Sequence, residues 1–186
     1  MKRVLSLFFF ISLIIPTGNA QEFKAGANTG FPFGSDGQNF YLLTGVDLSY
    51  TFHIFGNIEL GGITGYGRFF GKDNEGVDRE TYRYEGVDFN YIPLAVTAKY
   101  ALGHFYKWFG GVDAGYAFAL GDEKIRKLAG FYYALKGGWQ NDNVEIFAYY
   151  QGIGNSETKS KTSGNFTTST TFAKLGAAGV GIFYKF

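Results

Sequence analysis

Residues 42–52 read Leu42-Leu43-Thr44-Gly45-Val46-Asp47-Leu48-Ser49-Tyr50-Thr51-Phe52 and carry the clearest structural signal in the chain. Every second residue from Leu42 to Phe52 is apolar, aromatic or Thr. The residues between are Leu43, Gly45, Asp47, Ser49 and Thr51. A period of two over about ten residues is the signature of a β-strand, because successive side chains leave opposite faces. The same period returns at Ile58-Leu60-Gly62-Thr64-Tyr66, Ile92-Leu94-Val96-Ala98-Tyr100 and Val112-Ala114-Tyr116-Phe118-Leu120. It returns again at Tyr133-Leu135-Gly137-Trp139, at Val144-Ile146-Ala148-Tyr150 and from Phe172 to Phe186. A weaker, Gly-rich strand runs from Glu22 to about Phe33. A soluble sheet buries its apolar set and turns a charged set to water. Here the second set is mostly Gly, Ala, Ser, Thr and aromatic, with an isolated charge per strand. A barrel in lipid inverts the pattern, apolar outward and small or polar inward. Tyr50, Phe52, Tyr100, Trp139, Tyr184 and Phe186 fall where strands end, as an interfacial girdle would. A secreted barrel of lipocalin type has the same alternation and stays open on this ground alone.

Composition narrows the choice. The 186 residues include 28 Gly, 21 Phe, 14 Tyr and only 3 Pro. Gly and aromatics are weak helix formers, and aromatics are scarce in disordered chains, so helical bundles and disorder are both disfavoured. Cysteine is absent, which excludes disulfides, a thiol nucleophile and Cys-ligated metals. Lys and Arg number 17 against 16 Asp and Glu, a net charge of +1 with no basic footprint for nucleic acid.

Residues 1–20 read as a cleavable signal peptide, leaving 21–186 as the mature domain. Lys2 and Arg3 are followed by an apolar run from Val4 to Ile15, and Gly18 and Ala20 suit the −3 and −1 positions of a cleavage site. The apolar run is too short to span a hydrocarbon core of about 30 Å. No Cys follows Ala20, so a lipoprotein anchor is excluded. Loss of Lys2 and Arg3 takes the net charge from +1 to −1.

The connections alternate in length. Long ones are expected at 34–40, 71–83, 121–130 and 154–171, and short ones at 53–57, 103–107 and 140–143. Long external loops and short periplasmic turns characterise outer-membrane barrels. The expected fold is therefore all-β: an eight-stranded antiparallel up-and-down transmembrane β-barrel, with both termini periplasmic. Ten strands also fit the length.

The C-terminus Val180-Gly181-Ile182-Phe183-Tyr184-Lys185-Phe186 resembles the assembly signal of bacterial outer-membrane barrels. Tyr91-Ile92-Pro93-Leu94-Ala95-Val96-Thr97-Ala98-Lys99-Tyr100 resembles the "IPL…KY" strand of the outer-membrane β-barrel domain family, common in Bacteroidota. The resemblance implies a small OmpA/OmpX-type barrel of the cell outer membrane. It also implies delivery to the outer-membrane assembly machinery through Val180, Ile182, Tyr184 and Phe186. Such barrels host many functions, so it says little about activity. Pro93, lacking a ladder donor, is expected at a bulge.

Sites of chemistry are few. His53 and His104 are the only imidazoles and fall in expected periplasmic turns, away from the external leaflet where a lipid A-modifying enzyme would work. No cofactor is expected and the chain reads as a non-enzyme. Asp73, Glu75 and Asp78 lack the spacing of a dedicated Ca²⁺ loop. Gly62, Gly65, Gly67 and Gly71 miss the dinucleotide spacing and suit thin strand packing. Lys124, Arg126 and Lys127 are candidate contacts to lipopolysaccharide phosphates. The Ser/Thr-rich segment after Asn155 reads as an external loop, and the sequon at Asn165 has no expected role in a bacterial chain.

The inward charges are the most specific feature. Alternation places Lys24, Asp47, Glu59, Lys99, Asp113, Lys136, Glu145 and Lys185 in the lumen. Neighbouring strands suggest the pairs Lys24–Asp47, Glu59–Lys99, Asp113–Lys136 and Glu145–Lys185. The alternative is that some of these charges point into periplasmic water and pair with nothing, Glu59, Glu145 and Lys185 at the strand ends first among them. An eight-stranded barrel is just wide enough to be filled by side chains, so a neutral network would plug it. The expected role is structural or surface-interacting, with an unidentified external ligand. A narrow porin-like channel is the alternative, followed by a lipid A-modifying enzyme.

Overall fold

The computed structural model describes residues 21–72, 87–102, 107–121, 126, 128–154 and 175–186. The signal-peptide segment lies outside the described residues, as do Asp73, Glu75, Asp78, His104, Lys124, Lys127 and Asn165. Eight strands form one closed antiparallel barrel in chain order: β1 (Gln21–Phe33), β2 (Phe40–Phe55), β3 (Ile58–Gly71), β4 (Phe89–Leu102), β5 (Trp108–Leu120), β6 (Gly130–Gln140), β7 (Val144–Gly154) and β8 (Leu175–Lys185). Among the described residues eight strands close the ring, which corrects the ten-stranded option. β1 closes on β8 from Lys24↔Lys185 to Phe33↔Gly176, and no edge is left for backbone groups to stand unpaired.

Several boundaries differ from expectation. The second connection is only Gly56-Asn57, because β2 continues through His53 to Phe55. Gly56 takes φ +40°, which L side chains rarely adopt, and this permits the tight reversal. β4 begins at Phe89 and β8 at Leu175, so their preceding connections are longer than the alternation suggests. Pro93 is not at a bulge. Pairing of β3 with β4 runs from Thr64↔Leu94 to Gly67↔Tyr91 with no shift in register. The missing N–H interrupts the β3 side locally, while Pro93↔Ala117 holds on the β5 side. The Thr64 hydroxyl donates to the Pro93 carbonyl at 2.8 Å.

The wall separates two environments. Outward positions are mostly apolar, as in the exposed Ile92, Leu94, Val96 and Tyr100 of β4 and Val112, Tyr116, Phe118 and Leu120 of β5. Aromatics gather at both rims. Trp108, Tyr100, Tyr184 and Phe186 lie at the short-turn end, and Phe31, Tyr41, Tyr66 and Phe131 at the other. At that second rim Arg68 pairs with Asp88 on the outer surface and stacks over Phe70, 4.8 Å from its ring centre. Burial pushes the Asp88 carboxyl up. The Gly71 N–H and Arg68 outweigh it and hold the group below the ordinary carboxylate range. Inward glycines make room for rings. A Cβ on Gly67 would lie 2.3 Å from Tyr91, and one on Gly181 would lie 2.5 Å from Phe147.

Candidate functional site in the barrel lumen

The inward faces stack in layers along the axis. At the short-turn end lies a tier of charge. The Lys24 ammonium reaches Glu59 and Glu145 at 2.8 Å each and Glu22 at 3.2 Å. Lys99 reaches Glu59 at 2.7 Å and Glu145 at 2.6 Å, and donates to the Gln140 amide oxygen at 2.8 Å. Lys185 lies 3.5 Å from Glu145 and 3.7 Å from Glu22. The Thr51 hydroxyl donates to Glu59 at 3.4 Å, and His53 Nε2 stands 3.4 Å from the same carboxylate. Glu145 Oε1 is the common partner of all three lysines.

This geometry corrects one expectation and removes one alternative. Lys24 does not pair with Asp47. In the β1–β2 register Lys24 lies opposite Ser49 and Asp47 opposite Gly26, one pleat apart along the axis. The lysine instead crosses the lumen to β3 and β7. Nor do Glu59, Glu145 and Lys185 stand in water, for they are 3%, 3% and 8% exposed. Closure of the barrel folds these strand ends over one another, and their partners screen them from the mouth.

Above this tier, Lys136 pairs with Asp113 at 2.7 Å, and its ammonium lies 5.4 Å from the ring centres of both Phe147 and Phe183. Asp47 accepts a hydrogen bond from the Asn28 amide at 2.7 Å. A cavity of about 30 Å³ lies between the two tiers, bordered by Lys24, Lys99, Lys136, Glu145, Phe147 and Phe183. It is no larger than a water molecule or two. Tyr91, Tyr132, Tyr149 and Gln151 are buried residues of the inner face, with Gln151 donating to the Tyr91 hydroxyl at 2.7 Å. Toward the long-connection end the core turns apolar, with Phe40, Leu43, Phe69, Phe89, Ile153 and Leu175 almost fully buried.

Sequence reasoning missed Glu22, Gln140, Gln151 and the three tyrosines. The signal for them was present, because steps of two from Lys24, Lys99, Lys136 and Glu145 lead to these positions. Glu22, Glu59 and Glu145 bring carboxylate oxygens within 4.8 Å of one another, as a metal site would. Lys24 already supplies the cation among them. His53 contributes at the short-turn end of the lumen, not at the opposite rim. Arg126 is exposed beside a groove lined by Tyr116, Phe118, Ala119 and Ala129.

A closed antiparallel barrel with an apolar wall, aromatic rims and a polar-to-aromatic filling is the transmembrane architecture of outer membranes. The chain has the fold of a small eight-stranded outer-membrane β-barrel. No protein-family model and no curated protein matches it. Among solved structures it is similar to Ail, the attachment invasion locus protein of Yersinia pestis, at 12% identity and TM-score 0.47, covering 91% of this chain and 100% of that one. It is similar to Neisserial surface protein A at 14% identity and TM-score 0.44, covering 91% and 98%. It is also similar to OprG from Pseudomonas aeruginosa at 12% identity and TM-score 0.48, covering 90% and 96%.

Proposed function

We propose that the protein is a plugged scaffold of the outer membrane that holds its long connections outside the cell for a structural or surface-interaction role. The observation carrying this reading is the burial of the lumen's inner residues. Asp113 is 0% exposed, Lys24, Glu59 and Glu145 are each 3%, and Phe69 and Phe89 are 0%. Side chains lining an aqueous channel would be wetted along its length. In this reading residues 1–20 export the chain, and Val180, Ile182, Tyr184 and Phe186 present the signal to the assembly machinery. Arg126, with Lys124 and Lys127, meets lipopolysaccharide phosphates at the outer rim, where charge-assisted hydrogen bonds are strong. An external ligand would bind the connections, not the barrel interior.

Planar-bilayer conductance tests the plug. The purified barrel is expected to show no steady ion current. Stable, reproducible single-channel steps would replace the scaffold by a narrow channel.

A further inference from the structure

The barrel wall carries a step between β5 and β6, at the long-connection end. On one side of β5 the ladder to β4 runs on to Asn90↔Leu120. On the other side the ladder to β6 stops at Ala117↔Gly130. Phe118, Ala119 and Leu120 therefore continue past the start of β6. Arg126 and Ala129 border the step, and an open groove of about 510 Å³ lies among Tyr116, Phe118, Ala119, Arg126 and Ala129. Ligand pockets run from about 300 to 1,000 Å³, so the groove is of a size to hold a small molecule or one chain of a lipid. The lumen, with its cavity of about 30 Å³, is not.

The lining combines two kinds of surface. Tyr116 and Phe118 belong to the exposed outward set of β5, and their rings lie 4.9 Å apart. Arg126 is exposed and is the one charged side chain among the described residues of the lining. Its backbone is tied to the barrel. The Ala129 N–H donates to the Arg126 carbonyl at 3.1 Å, and Leu128 is buried in the apolar core at this end. An apolar groove on the hydrocarbon-facing wall, bordered by one guanidinium, is complementary to an amphiphile with an acyl chain and an anionic head. Guanidinium groups take phosphate through charge-assisted, often bidentate, hydrogen bonds. A water-borne peptide would reach Tyr116 and Phe118 only by displacing lipid from them.

We propose that this groove seats one acyl chain of one lipid A molecule, with Arg126 on a lipid A phosphate. The proposal rests on the reading that turns the long connections outward and sets Arg126 against lipopolysaccharide phosphates. It adds a single place for one molecule, where that reading needs only rim charge.

The test titrates lipid A into the purified, refolded full barrel in zwitterionic detergent and counts bound lipid by native mass spectrometry. One copy is expected to be retained in preference to dephosphorylated lipid A. Arg126→Gln should weaken that copy by about tenfold, the scale of one charge-assisted hydrogen bond. Ala129→Trp fills the groove and leaves the charge in place, and it should weaken the copy as well. Phe118→Ala removes one wall from the lipid-facing surface and serves the same end if Ala129→Trp does not fold. Retention that survives the groove variants would overturn the proposal. So would equal retention of dephosphorylated lipid A, several copies of equal affinity, or a barrel dimer formed without lipid and lost in Ala129→Trp. Binding that falls in Lys124→Gln and Lys127→Gln but not in the groove variants would leave the rim charges as proposed and overturn the groove alone. Conductance is independent of all these outcomes, so the plug and the lipid site can fail separately.

Discussion

Lys136 is the residue on which the upper tier turns. It is 11% exposed, it pairs with Asp113, which is fully buried, and two phenyl rings flank its ammonium. Removing one partner of a buried pair strands the other, and the stranded charge dominates the cost. Lys136→Ala is therefore expected to destabilise the barrel by about 3–5 kcal/mol, measured by urea unfolding in a lipid or detergent host. Lys136→Met with Asp113→Leu should recover most of the loss, because a matched apolar pair strands nothing. A single variant within about 0.5 kcal/mol of the parent would show that solvent or a rearranged partner reaches Asp113. Residues at this scale were only partly legible. Parity of position told which charges face inward. It did not tell that Lys24 reaches Glu145, 121 positions away, because that contact crosses the lumen and not the strand ladder.

At the scale of the element, β8 closes the barrel. The Phe186 N–H donates to the Phe23 carbonyl at 2.9 Å, and the two rings lie 5.6 Å apart on the outer surface. Phe186 also meets Tyr184 edge-on at 5.0 Å. Without this seam two strand edges would carry unpaired backbone groups into hydrocarbon, at several kcal/mol for each group. Deleting Phe186 is expected to lower the amount of folded barrel in the outer membrane, read as the heat-modifiable band on a gel. An unchanged yield and heat shift would remove Phe186 from assembly. Strand existence was plain in the alternation, and strand ends were not. β2 runs on through His53 because a Gly56-Asn57 reversal needs no more than two residues, whereas the turn residues alone suggested a longer break. The ladder passes Pro93 without a shift in register, since the β5 side alone holds the strand in place.

For the whole molecule, sidedness is the open consequence. Short turns join β2 to β3, β4 to β5 and β6 to β7, at the end where both β1 and β8 also begin and finish. The proposed orientation puts that end in the periplasm and the segments 73–86 and 155–174 outside. Protease added to intact cells should cut within those two segments before it cuts at Gly56-Asn57 or at 103–107. Preferential cutting at the short turns would invert the barrel.

Local relations are written in the order of the residues. The period of two, the parity of long and short connections and the lipid-facing identity of each apolar position all follow from the strand geometry of single segments. Which inward groups meet follows from the closed barrel alone. Closing eight strands into a ring brings β1, β3, β4, β7 and β8 together at one level, so Glu145 gathers three lysines while Asp47 accepts from the Asn28 amide. Side chains that share a lumen interact along chords of the barrel, and chord lengths depend on closure and stagger, which no single strand records.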